Sequence, residues 1–162
     1  MAVITMLSIR SLITKLSSDY PDLNFIASEG FSWSASTATI HYDASSIHVE
    51  DLIHEVAHAA LKHQNYERDI QLIEMERCAW EFALDTLGPQ YNIGISEDYI
   101  QKSLDTYRDW LHSRSTCPDC QATGIQTEKN NYRCVACGQW WRVNDGRVCA
   151  LRRYTQIKKA RS

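Results

Sequence analysis

At 162 residues, 44% of them apolar and 23% charged, the chain has enough hydrophobic content for one ordinary domain with a small module and too little length for a second full-size domain. This balance excludes a disordered or fibrous chain, and no apolar run of about 18 residues is present to span a bilayer. The net charge of minus three conceals an asymmetry, since residues 1–107 carry 6 Lys/Arg against 16 Asp/Glu whereas residues 108–162 carry 11 against 4.

Residues 3–18 place Ile4, Leu7, Ile9, Leu12, Ile13 and Leu16 at helical intervals, and Tyr20-Pro21 is a stop signal. The first residues lack a basic start, a continuous apolar stretch and a small-residue cleavage site, so the spacing predicts a mature amphipathic helix and a soluble cytoplasmic protein. From Leu23 to Tyr42 the text turns to Phe, Ile, Ser, Thr, Trp and Tyr. Phe25 and Ala27 alternate before the turn signal Glu29-Gly30. Phe31, Trp33 and Ala35, then Thr37, Thr39 and His41, alternate after it. Two or three short strands in a small antiparallel sheet are expected. Ile47 and Val49 fit either another extended segment or the approach to the next helix. Residues 49–63 and 66–87 are rich in Ala, Leu, Glu and Ile and predict two helices, the second stopping at Gly88-Pro89. A third helix is expected over Glu97–Leu111 with Ser96 as its cap, followed by a linker at 112–116.

His54-Glu55-Val56-Ala57-His58 is an HExxH motif inside the helical segment LIHEVAHAAL. On a helix, positions 54 and 58 stand one turn apart on one face, so two imidazoles converge on one ion, and Glu55 is offset by about 100°, within reach of a water there. A catalytic zinc takes a third protein ligand and leaves one position open. Glu74, Glu76, Glu81 and His63 are the candidates. With Glu76 at zero on the second helix, Leu72, Ile73, Ala79, Trp80, Ala83, Leu84 and Leu87 all fall within about 80° of it, whereas Glu74 and Glu81 lie on the polar face. A carboxylate in the centre of an apolar stripe is costly unless it is paired or binds metal, which selects Glu76. His63 is about 140° from His58 on the same helix and would need the helix to end first. Asp51 or a backbone carbonyl is the candidate outer partner of the two histidines. The expected chemistry has zinc lowering the pKa of water, Glu55 as general base, and Tyr66, His63, Tyr42 or Tyr91 as candidate transition-state donor, with nothing in the sequence selecting among them.

These residues resemble the HExxH gluzincin-type small peptidases, particularly the ImmA/IrrE group. LIHEVAHAAL followed by Glu76-Arg77-Cys78-Ala79-Trp80-Glu81-Phe82-Ala83 is similar to that group's two active-site helices over about residues 38–88. The resemblance implies Glu76 as third ligand and cleavage of a protein substrate. The layout also resembles SprT-like metallopeptidases, which follow an HExxH core with a zinc-ribbon-like segment and act near DNA. Their third ligand is generally a histidine beyond the motif, an element this sequence lacks after His63.

Among six cysteines, Cys78 and Cys149 belong to no motif. Cys117 and Cys120, then Cys134 and Cys137, form two CxxC pairs with zinc-ribbon spacing, a closed structural site whose ion should supply much of the module's folding energy. Trp140, Trp141, Arg142, Arg147, Arg152 and Arg153, with Lys158, Lys159 and Arg161 beyond them, are candidate nucleic-acid contacts. Tyr132, Arg133, Val135 and residues 140–143 read as short strands. The sum is an α+β chain: a minimal zincin-like core of helices on a small antiparallel sheet at 1–111, a zinc ribbon at 117–150 and a basic tail at 151–162. It is expected to bind two Zn2+ ions, one catalytic and one structural, and to cleave a protein or peptide with no membrane involved. The alternative is a DNA-binding or protein-interaction zinc protein with an inactive or structural HExxH site.

Overall fold

The computed structural model describes residues 8–147 and 149–155. The predicted helical residues 3–7 and the tail's Lys158, Lys159 and Arg161 lie outside the described residues. The chain is α+β, with helices and two small sheets. It forms two compact units, one within Met1–Asn65 and Met75–Ile100, the other within Tyr66–Glu74 and Gln101–Ser162. Residues 66–74 and 101–111 thus group with the cysteines, where composition alone drew the boundary after Leu111.

In the first unit, helix α1 (Ile9–Asp19) is capped by Ser8, whose hydroxyl accepts from the Ser11 N–H, and it buries Ile9, Leu12 and Leu16. Strands β1 (Asn24–Ala27), β2 (Ser32–Ser34) and β3 (Thr39–Tyr42) pair in the order β1-β3-β2. The sheet is mixed, which corrects the antiparallel expectation: β1 runs parallel to β3, with Phe25 opposite Ile40, and only β2 is antiparallel to it. Alternation specifies which residues face inward but not which strand inserts between two others. Here the tight β2–β3 turn, with Ala38 at φ 47°, folds β3 back into the gap between β1 and β2.

Helix α2 (Val49–Ala60) packs on β2, β3 and α1, and its Leu52, Ile53, Val56 and Ala57 are fully buried. Val49 therefore belongs to the helix, while Ile47 before it is exposed. Helix α3 (Asp69–Phe82) runs into a π-helical turn (Ala83–Leu87) and then α4 (Gly88–Tyr91). Gly88-Pro89 does not stop the chain's helical course, because Pro89 sits at the start of α4, where its missing N–H is not needed. Asn92, left-handed at φ 55°, ends it instead.

Helix α5 (Glu97–Ser115) begins where expected, with the Ser96 hydroxyl accepting from Tyr99 N–H at 3.2 Å. It continues through the residues read as a linker. In the second unit, β4 (Ile125–Glu128), β5 (Asn131–Arg133), β6 (Trp140–Val143) and β7 (Arg153–Thr155) form an antiparallel meander. β7 comes from what composition read as tail, and Val135 lies exposed outside the strands. The sheet's inner face buries Tyr132, Trp141 and Val143 against Cys117 and Cys134. Gly124 is required there, since a Cβ would stand 2.3 Å from the Trp141 ring.

Arg114, 1% exposed, ties this unit together. Its guanidinium lies over Trp110 at 4.3 Å and donates to the Tyr132 hydroxyl (3.1 Å), the Asn144 carbonyl (3.0 Å) and Asn130 Oδ1 (2.6 Å). Asp69 stands 3.7 Å away as its counter-charge and accepts the Tyr132 hydroxyl proton. A buried cation is tolerated because each guanidinium nitrogen finds an acceptor and a carboxylate stands close by. Arg68, donating to the Gln126 carbonyl at 3.0 Å, and the Asp69 N–H, donating to Gln126 Oε1 at 2.8 Å, fasten residues 66–74 to β4.

Candidate metal centres

The first centre lies in the first unit. His54 and His58, both buried, occupy successive turns of α2, with Nε2 atoms 3.0 Å apart. Glu76 projects from α3 in the interior, with Oε2 3.0 Å from His54 Nε2 and Oε1 3.5 Å from His58 Nε2. Its helix buries Leu72, Ala79 and Trp80, and the π-helical turn after it buries Ala83 and Leu87, with Ile73 and Leu84 of the predicted stripe half-buried, while Glu74 and Glu81 are exposed.

The donor set fits a divalent cation. At most one proton fits between two imidazole nitrogens 3.0 Å apart, and one proton cannot also satisfy the carboxylate, whereas a cation takes all three lone pairs. Zinc bound tetrahedrally at about 2.0–2.1 Å separates its ligands by about 3.3–3.4 Å, near the spacings present. Burial raises the Glu76 carboxyl, but hydrogen bonds from His54 and His58 and their charge outweigh it and bring its pKa to about 2. Glu55, beside His54, is pushed up from the ordinary glutamate value, chiefly by burial, with His54 and His58 opposing and Glu76 and Asp51 adding to the rise.

The two imidazoles are held differently. The His54 ring stacks on Trp80 at 4.1 Å with planes 19° apart, and Trp80 meets Tyr99 edge-on at 5.8 Å. Among the described residues His54 Nδ1 is buried without a hydrogen-bond partner. Asp51, offered by the sequence as an outer partner, instead accepts the Tyr99 hydroxyl proton at 2.8 Å. His58 has a polar partner, with its Nδ1 2.8 Å from Nδ1 of His63.

The other candidate donors are dispersed. Tyr66 belongs to the second unit, where burial raises its pKa beside Arg114 and Asp69. The Tyr91 hydroxyl donates to Asp19 at 2.7 Å, and Tyr42 ends β3.

The second centre is built from two matching turns. The N–H of Gln121 donates to the Cys117 carbonyl and that of Gly138 to the Cys134 carbonyl, both at 3.0 Å. Gln121 and Gly138 have positive φ, 62° and 78°. Each CxxC thus closes through the same left-handed residue after its second cysteine, aiming both sulfurs to one side.

Cys117 Sγ lies 3.6 Å from Cys137 Sγ and Cys120 Sγ 3.5 Å from Cys134 Sγ, and all four sulfurs fall within 4.8 Å of one another. A tetrahedron with zinc–sulfur bonds of about 2.3 Å has edges of about 3.8 Å, so the cluster fits a metal and is too wide for disulfides. The Cys137 backbone N–H, aided by that of Ala136 and by neighbouring cysteines against the effect of burial, lowers the Cys134 thiol to about 7.

The tryptophan pair divides between two faces. Trp141 is in the core, stacked on Tyr132 at 5.6 Å and donating its indole N–H to the Arg114 carbonyl, which corrects its place among exposed contacts. Trp140 is exposed beside Arg133, whose guanidinium lies 5.2 Å from its ring, and Arg142 lies 5.0 Å from the Tyr154 ring. Arg147 covers Tyr107 at 3.7 Å, Arg153 donates to the Ser113 carbonyl, and Arg152 is exposed with its backbone N–H bonded to Asn144. Sequence reasoning missed Arg133 and Tyr154 on this face. Register with Trp140 and Arg142 is what places them there, and no local motif marks them.

Comparison of the chain with protein-family models, curated proteins and solved structures finds no match.

Proposed function

We propose that this protein is a zinc-dependent peptidase of minimal zincin-like architecture, with His54, His58 and Glu76 holding the catalytic ion and Glu55 as general base. The observation that carries the reading is the convergence of three buried lone-pair donors, 3.0–3.5 Å apart, with a carboxylic acid one residue from the first of them. Zinc bound there would supply Lewis-acid chemistry, acidifying water and polarising a carbonyl. Glu55 takes the proton from the attacking water as its oxygen bonds to the carbonyl carbon, and delivers that proton to the amine nitrogen as the carbon–nitrogen bond breaks. Trp80 and Glu76 keep His54 and His58 converged. A protein or peptide is the substrate.

Counting ions tests this reading together with its third ligand. Wild type is expected to hold two zinc ions per chain and to cleave an unfolded protein substrate. Glu76→Ala is expected to hold one ion, at the cysteines, and to cleave nothing. A wild type with a single ion, or a Glu76→Ala protein with two tightly held ions, refutes the ligand assignment.

A second reading concerns the ribbon's outer face, where exposed Arg133, Trp140, Arg142 and Tyr154 form two cross-strand pairs of guanidinium and ring. Trp140, Arg142 and Tyr154 border a hollow of about 460 Å³ that Asn131, Trp141 and Thr155 also line. Planar rings among cations suit stacked bases and phosphates of single-stranded nucleic acid. In fluorescence anisotropy with labelled oligothymidine, Trp140→Ala and Tyr154→Ala are each expected to weaken binding about 5- to 100-fold, as the loss of one stacked base does. Equal affinity for wild type and both variants refutes stacking.

A further inference from the structure

Helix α2 ends in a way that returns a third histidine to the first centre. Lys62 takes the left-handed conformation, φ 55°, its N–H donates to the Ala59 carbonyl at 3.0 Å, and the His63 N–H donates to the His58 carbonyl at 3.0 Å. These two bonds define a Schellman turn, a motif that brings the second residue past the helix end back against the residue five positions earlier. An apolar contact frequently fills that place. Here the pair is His63 and His58, with Nδ1 atoms 2.8 Å apart and rings inclined at 68°. The Trp33 indole donates to the His63 carbonyl at 2.9 Å, fixing the turn to β2.

Two Nδ1 atoms at this distance share one proton, so one ring donates and the other accepts. His58 Nε2 faces His54 and Glu76 and must keep its lone pair to ligate an ion, so the His58 proton belongs on Nδ1. We propose that His63 is a positioning residue that accepts this proton through its own Nδ1, locking the tautomer and ring orientation of His58 for metal binding. The inference rests on the reading of His58 as a zinc ligand. It makes the acceptor a neutral imidazole delivered by a helix-ending turn, in a role often filled by a carboxylate or a carbonyl.

Three substitutions separate hydrogen bonding from packing. Asparagine places Oδ1 where the histidine has Nδ1, phenylalanine keeps the ring without an acceptor, and alanine removes both. Zinc affinity is read by competition with a chelator of known strength, with the ion at the cysteines as an internal reference for folding. His63→Phe and His63→Ala are expected to weaken zinc binding at His54, His58 and Glu76 about 10- to 100-fold, while His63→Asn stays within a few-fold of wild type.

A phenylalanine variant that matches wild type, or an asparagine variant as weak as alanine, overturns the proposal. Wild type supplies a test that needs no variant: 15N NMR of the zinc-loaded protein is expected to show scalar coupling across the hydrogen bond between the two Nδ1 atoms. Absence of that coupling likewise overturns it. A protein that holds both ions and cleaves nothing refutes the peptidase and leaves His63 in place. A protein with no ion at His58 removes the premise of both.

Discussion

Glu55→Gln is expected to lower the rate of peptide hydrolysis about 10²- to 10⁴-fold, the range associated with losing a general acid–base group, while both ions stay bound. The amide keeps the size of the side chain and loses the basic oxygen that receives a proton. Glu55 stands outside the ligand set of His54, His58 and Glu76, so the ion is retained. The measurement is turnover of an unfolded protein beside ion content in the same preparation. Unchanged turnover at full ion content would remove Glu55 from the chemistry and with it the proposed mechanism. Loss of both activity and ion would make Glu55 a ligand, contrary to the geometry.

Cys134→Ser is expected to unfold the cysteine-bearing sheet. The buried cluster of that module is Cys117, Tyr132, Cys134, Trp141 and Val143, too little apolar surface to offset the entropy of ordering some 40 residues. Structural zinc contributes about 10–16 kcal/mol in small modules of this kind, and a serine hydroxyl does not replace a thiolate. The expected readout is collapse of the NMR dispersion from residues 117–155, with one ion remaining at His54, His58 and Glu76. A chelator strong enough to strip the cysteines should produce the same collapse in wild type. A folded, dispersed sheet without metal would show that side-chain packing and Arg114 suffice.

Much of the first centre was legible because its logic is local. Two histidines four residues apart must share a helix face, and a glutamate whose helical neighbours are Leu72, Ala79, Trp80 and Ala83 must point inward. Helix periodicity alone yields both statements, and burial agrees with them. His63 was harder to place. It is about 140° from His58 on a continued helix, and it meets His58 because the helix stops at Ala60 and Lys62 turns left-handed. No glycine marks that turn, the residue that most often would.

On the ribbon, the CxxC spacing specified both knuckles, but consecutive tryptophans must face opposite ways in a strand, and nothing local says which faces inward. Pairing with Tyr132 buries Trp141 and leaves Trp140 outside. Arg114 falls within the residues read as a linker, and its burial depends on Asp69, on Asn130 and Tyr132, and on Asn144 arriving from three other places in the chain.

The amino-acid sequence by itself determined the helix faces, the inward carboxylate and the two cysteine knuckles, because each follows from a repeat or spacing within a few turns of chain. Only the tertiary structure decided the order of the first sheet, the inner tryptophan, the partners of Arg114 and the meeting of His63 with His58. Those depend on which distant segments come together, and the energy that selects a partner resides in contacts that no local period encodes.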